Sequence, residues 1–155
     1  MIISAGIINY RFKNGEIQFL LCKNGGPFWK NIERSWNFPK GQIEPNENAI
    51  ETARREFEEE TGLIIPKNIQ LFKLGECINK NNTKLVHTYA FEHDYGDDVE
   101  IKSNMCEMEW PTGSGRMIEV PELSEGHYMN FEQGMKSIFV YQQSMLLLLN
   151  ERSFG

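Results

Sequence analysis

Apolar positions change their period along the chain. Residues 2–10 (IISAGIINY) and 17–22 (IQFLLC) are rich in β-branched and apolar residues, and Asn14-Gly15 lies between them. Asn-Gly between two such runs predicts a hairpin. The stretch 24–35 (NGGPFWKNIERS) is turn-rich and reads as a surface loop. Trp36-Asn37-Phe38-Pro39 reads as extended, because a residue before proline avoids the helical region. From 47 to 61 the spacing turns helical: Ala49, Ala53 and Phe57 recur every four residues, with Ile50 beside them. Asn46 is the expected N-cap of this helix, and Gly62 its left-handed terminator.

Strands are expected at 69–78 and 84–92, with Lys80-Asn81-Asn82 as the turn, and another near 126–130. Residues 94–116 read as irregular. A helix over 131–150 would carry Phe131, Met135, Ile138, Phe139, Met145, Leu146 and Leu149 as a core-facing stripe. Strands on both sides of a central helix predict an α/β or α+β fold, with a mixed sheet between helices.

Composition narrows the function. A chain of 155 residues fits one domain, 1–155, able to build its own core. Sixteen basic against 22 acidic residues give a net charge of −6, which disfavours long nucleic acids and anionic lipid as partners. A phosphate-handling protein this acidic needs positive charge from elsewhere, and a divalent cation would supply it. Cys22, Cys77 and Cys106 are odd in number and widely spaced, as expected of reduced thiols in the cytoplasm. The first residues lack the basic and apolar regions of a signal peptide, and no apolar run approaches the length of a membrane span.

Candidate chemistry concentrates in 41–63 (GQIEPNENAIETARREFEEETGL). Glu56, Glu59 and Glu60 stand at i, i+3 and i+4, so their carboxylates share one helix face. Such a face is either a solvated charge run or a site for a hard cation. The apolar stripe opposite orients it, and Arg55 is placed to pair with Glu51 and Glu59 at i−4 and i+4, fixing a ligand rotamer.

These residues resemble the Nudix box, G-x5-E-x7-R-E-U-x-E-E-x-G-U, where U is aliphatic or bulky and apolar. Gly41, Glu47, Arg55, Glu56, Phe57, Glu59, Glu60, Gly62 and Leu63 fill every defined position. An aromatic Phe57 is a mild departure. The resemblance implies an α/β/α sandwich that hydrolyses a nucleoside diphosphate linked to another moiety, using Mg²⁺ or Mn²⁺. It implies Glu56, Glu59, Glu60 and the Gly41 carbonyl as metal ligands, with Arg55 and Glu47 orienting them. Glu47 could equally be an acid favoured by the helix dipole. The catalytic base would be Glu59, or an acid of a later loop: Glu107, Glu109 or Glu92.

Substrate contacts are expected from Lys40, Trp36 and Arg116. A lysine can meet a phosphate, a tryptophan can stack on a base, and Ser114-Gly115-Arg116 can offer N–H groups and a guanidinium to phosphate. An exposed lysine, a core tryptophan and an ordinary turn are the bland alternatives. Ser35 to Gly41 (SWNFPKG) resembles the approach to the box in dinucleoside polyphosphate hydrolases and RNA pyrophosphohydrolases. The expected substrate is therefore an NTP or a dinucleoside polyphosphate. An RNA 5′ end and a non-catalytic nucleotide sensor are the alternatives. The chain would act as a monomer or homodimer.

Overall fold

The computed structural model describes residues 1–154. Nine strands and three helices follow in order: β1 Ile2–Lys13, β2 Glu16–Asn24, β3 Trp36–Asn37, β4 Lys40–Gln42, α1 Ala49–Thr61, β5 Phe72–Ile78, β6 Lys84–Glu92, β7 Met105–Glu109, β8 Met117–Pro121, β9 Leu123–Asn130, α2 Phe131–Ser137 and α3 Gln143–Phe154. No helix among the described residues is long and apolar enough to cross a membrane.

β1 organises the large sheet. Along one edge it runs parallel to β6, from Ile2 opposite Lys84 to Tyr10 opposite Glu92. Its other edge is divided. Residues 10–13 pair antiparallel with β2 through the expected hairpin, whereas Ser4 to Gly6 pair antiparallel with β4. β5 flanks β6, while β3 and β9 pair with β2, completing seven strands. β1 is covered on both faces, which is why Ser4 to Asn9 are all buried.

The two faces follow from side-chain alternation. Ala5 and Ile7 pack with Ala53 and Phe57 of α1 and with Phe91. Ile8 points the other way, into a cluster with Phe19, Leu21, Val86 and the α3 residues Met145, Leu146 and Leu149. This is the expected sandwich, helix on sheet on helix. Phe57 is fully buried, and truncating it to alanine would cost about 3–5 kcal/mol. An aromatic side chain in this box position is thus core packing.

Four expectations need correction. Asn48, not Asn46, caps α1: its side chain accepts a hydrogen bond from the Glu51 N–H at 3.0 Å. The box glutamate, Glu47, therefore lies just before the cap rather than in the first turn. β5 begins at Phe72 rather than 69. The segment 94–116 is not wholly irregular, because β7 pairs with β8 as a separate two-stranded sheet. Its outer face carries Glu107, Glu109 and Glu119, so its apolar content is too low to announce a strand. Finally, 131–150 is not one helix. Ile138 is extended (ψ 151°), forms a bridge with Trp36, and is followed by a Phe139 N–H bond to the Trp36 carbonyl. The apolar spacing runs through this break because both short helices bury their apolar sides against one core, masking the β-branched pair Ile138 and Val140.

Candidate active site

α1 carries its acids on a helix fixed at both ends. Gly62 ends it at φ 75°, a conformation that costs glycine little. The segment after β6 then straps the last turn. The Lys102 N–H donates to the Thr61 carbonyl (2.8 Å) and the Asn104 N–H to the Glu59 carbonyl (3.0 Å). These bonds satisfy carbonyls that a helix end otherwise leaves without partners.

Arg55 is the centre of the ion-pair network. Its Nε and Nη2 bond both oxygens of Glu47, at 2.7 and 2.9 Å. Its Nη1 reaches Glu56 (2.9 Å) and Glu59 (3.1 Å). The expected Glu51 partner is absent, because Glu51 bonds Asn48 instead. Glu47 lies before the cap, and its carboxylate also accepts from the Thr52 hydroxyl (2.8 Å). Glu47 is thus held by Arg55 and Thr52 together. The Arg55 guanidinium, then the Thr52 and Glu44 hydrogen bonds, hold its pKa down at about 2 against partial desolvation.

Glu56 lies across the backbone of β4. A β-carbon at position 41 would overlap its carboxyl group, so only glycine leaves room for it. Glu60 is 4% exposed, and its Oε2 is buried without a hydrogen-bond partner. Burial, then the hydrogen bond and charge of Glu56, push its carboxyl well above the usual range. Lys40 opposes that rise. Its own amine is pushed down by burial and by Lys84, while its Nζ donates to Asn37 (3.3 Å). Lys40 is thus the cation that acts on Glu60 and on Glu122.

Glu122 is the acid that the sequence does not single out. It forms the bend between β8 and β9, where its N–H donates to the Asn104 carbonyl (3.0 Å) and its carbonyl accepts from the Gly25 N–H (3.0 Å). Burial, followed by Glu56 and Glu59, raises its pKa, and Lys40 opposes this. It therefore feels the charge of the α1 acids. Pro121, which marks a strand end, was its one sequence signal.

The loop acids named from sequence lie on β6 and on the β7–β8 hairpin. Glu107 is exposed on β7 opposite Glu119. Glu109 accepts from the Gly113 and Gly115 N–H groups, a turn-stabilising role. Glu92 is exposed at the end of β6. Arg116 is exposed at the base of the hairpin tip. Trp36 borders two adjoining grooves, next to Lys23 and His127.

The donor set fits a hard divalent cation. All donors are oxygens, one of them a buried oxygen without a partner, and Gly41 leaves the backbone approachable. As the side chains stand, no three His, Cys, Asp or Glu groups among the described residues converge on one point. Arg55 holds Glu56 at 2.9 Å and Glu59 at 3.1 Å.

The match to known proteins agrees with the fold. The NUDIX domain family model matches residues 2–134, and the chain belongs to the Nudix family. It is 34% identical over 93 residues to the asymmetrical bis(5′-nucleosyl)-tetraphosphatase of Rattus norvegicus, covering 57% of this chain and 58% of that one. It is 41% identical over 54 residues to the RNA pyrophosphohydrolase of Xylella fastidiosa strain 9a5c, covering 34% and 28%. These matches span less than two thirds of either relative. In fold it resembles a C. elegans Ap4A hydrolase (TM-score 0.70, 22% identity, 100% and 99% of the two chains). It also resembles the MutT protein of Methanosarcina mazei Go1 (TM-score 0.60, 22% identity, 99% and 96%).

Proposed function

We propose that residues 1–155 form a single hydrolytic domain. It cleaves a phosphoanhydride bond in a nucleoside diphosphate joined to a further group, an NTP or a dinucleoside polyphosphate, with Mg²⁺ or Mn²⁺. One observation carries this reading: the Glu56 carboxyl seated over Gly41, beside the buried, unpartnered oxygen of Glu60. Clustering acids around an unsatisfied buried oxygen is costly unless a cation joins them.

Glu56, Glu59, Glu60 and the Gly41 carbonyl would hold the ion. When bound, it neutralises pyrophosphate charge and acidifies a bound water. The chain's own groups do the rest. Arg55, gripped by Glu47, limits the rotamers open to Glu56 and Glu59. Lys40 offers its ammonium group to the phosphate oxygens, whose arrival favours its charged form. Glu59 or Glu122 accepts the proton of the attacking water. Glu122 feels the charge of Glu59, and its raised pKa moves it toward the range useful to a general base. Glu107, exposed on the hairpin opposite Glu119, is the other acid that could take this role.

The relatives' names support nucleotide substrates, and the RNA pyrophosphohydrolase match favours a triphosphorylated RNA 5′ end as the second reading. The three free cysteines support a reducing compartment such as the cytoplasm. The test is a panel of ATP, GTP, diadenosine tetraphosphate and 5′-triphosphorylated RNA with Mg²⁺ or Mn²⁺, read by phosphate or pyrophosphate release. Metal-dependent turnover is expected. Nucleotide binding without turnover on any member would overturn the hydrolase reading in favour of a sensor.

A further inference from the structure

Four stretches distant in sequence meet through one line of backbone hydrogen bonds. The Glu59 carbonyl accepts from the Asn104 N–H, the Asn104 carbonyl from the Glu122 N–H, and the Glu122 carbonyl from the Gly25 N–H, each at 3.0 Å. The line starts on the acidic helix and ends just after β2. Every link in it is a direct contact.

The line passes through the root of the β7–β8 hairpin. Asn104 stands immediately before β7, and Glu122 lies between β8 and β9. β7 and β8 pair only with each other, as a sheet separate from the large one. A two-stranded unit is marginal by itself. The fixed points at its root therefore decide where Glu122 stands.

Two residues close that root. Ser103 is the first. Its hydroxyl donates to the Asn104 carbonyl (2.8 Å) and accepts from the Leu123 N–H (3.1 Å), so one side chain grips both sides of the root, next to Glu122. The Asn104 carbonyl thereby takes two hydrogen bonds, the full capacity of its lone pairs. Leu123 is buried, which anchors the grip in the core. Gly25 is the second. A β-carbon there would overlap the carbonyl of Pro121, the peptide group joined to Glu122. Gly25 is not left-handed, so an alanine in its place is opposed by lack of space alone. The close approach of Gly25 lets its N–H reach the Glu122 carbonyl.

The backbone of Glu122 is thus held on both sides, and one of its supports ends on Glu59. Glu56 and Glu59 act on its carboxyl group through their charge. We propose that Ser103 and Gly25 are positioning residues for hydrolysis, which fix the Glu122 backbone against that of Glu59 without touching substrate. The inference rests on the hydrolase reading above and extends it to two residues outside the box.

The test measures kcat and KM at saturating Mg²⁺, on the member of the nucleotide panel that the wild type turns over fastest. Ser103→Ala removes both side-chain hydrogen bonds. It is expected to lower kcat by about tenfold with little change in KM, since a misplacement near an ångström costs up to about 10²-fold. Ser103→Thr keeps the hydroxyl and is expected to restore kcat. Gly25→Ala is expected to lower kcat in the same way, by pushing the Pro121 carbonyl aside. Ser124→Ala is the control: it removes an exposed hydroxyl beside Leu123 that bonds the Lys23 carbonyl (3.4 Å), outside the line, and is expected to leave kcat unchanged. Amide hydrogen exchange at Glu122 and Leu123 is expected to quicken in Ser103→Ala.

An unchanged kcat in Ser103→Ala overturns the proposal. So does a loss that Ser103→Thr does not restore, or one that Ser124→Ala shares. If Gly25→Ala fails to fold, the Ser103 series decides alone. A wild type that turns over nothing on the panel sinks the hydrolase reading, and the positioning role with it. An active wild type matched by Ser103→Ala sinks the positioning role alone.

Discussion

Arg55 holds Glu47 through two parallel hydrogen bonds, Nε to Oε2 at 2.7 Å and Nη2 to Oε1 at 2.9 Å. The partners lie eight residues apart, one on the helix and one before its cap. The pair therefore fixes how the Gly41–Asn48 loop meets α1, and leaves Nη1 to restrain Glu56 and Glu59. Arg55→Lys keeps the charge but loses the fork. It is expected to lower kcat or weaken metal activation by about 10–100-fold, the usual cost of removing an orienting partner. Metal-activation curves for wild type and variant check this. Equal curves would mean that the fork does not orient the acids.

Gly41→Ala addresses the seat of Glu56 directly. The added methyl overlaps that carboxyl, which must move by an ångström or more. A displacement of this size at a reacting centre costs on the order of 10²-fold in rate. The variant is expected to fold, since Glu56 can swing toward solvent. Circular dichroism and turnover, measured together, separate the two effects.

Glu122→Gln is expected to lower kcat and to flatten the acid limb of the rate profile, while leaving the fold intact. A carboxyl raised by burial and by Glu56 and Glu59 loses its proton at higher pH than an ordinary glutamate. The wild-type rate should therefore climb as that proton is lost. An acid limb identical in wild type and variant would exclude Glu122 from the proton transfer.

The acid stability of the strap has a definite sign. Arg11, largely buried under Tyr128 at 3.9 Å, pairs with Asp94 (3.0 Å) and Asp97 (2.8 Å) of the segment after β6. The Gly96 N–H and then Arg11 hold Asp94 below its ordinary value near 3.8. Lys13 and then Arg11 do so for Asp97. A carboxylate with a depressed folded value stabilises fully above its unfolded value, and that contribution fades as pH falls through the folded one. Both acids are more than half exposed, so solvent screens the pairing strongly. Arg11→Met is expected to lower the melting temperature by about 2–4 °C near pH 7. That gap should hold down to about pH 5 and narrow below about pH 4. A gap that widened on acidification would contradict the assignment.

The local parts of this protein were legible in its sequence. Asn14-Gly15 announced the first hairpin, the spacing of Ala49, Ala53 and Phe57 announced α1, and the box residues placed Glu56, Glu59 and Glu60 on one face. What remained hidden depends on contacts distant in the chain. Glu122 reaches the site because Asn104 receives its N–H while bonding Glu59. No pattern within a window of residues reports such a relay. The break at Ile138 likewise comes from Trp36, about a hundred residues earlier. Arg55 took Glu47 rather than Glu51 because the cap at Asn48 claimed the nearer acid. Helix periodicity alone could not rank those partners.

The central claim is that Glu56, Glu59 and Glu60 hold a divalent ion at the seat over Gly41. Titration of Mn²⁺ followed by electron paramagnetic resonance tests it most directly. The wild type is expected to remove Mn²⁺ from solution saturably, and Glu56→Gln/Glu60→Gln is expected to leave the free-ion signal unchanged. A wild-type protein that leaves the signal undiminished, with nucleotide present, would contradict the account. So would a double variant that binds as the wild type does.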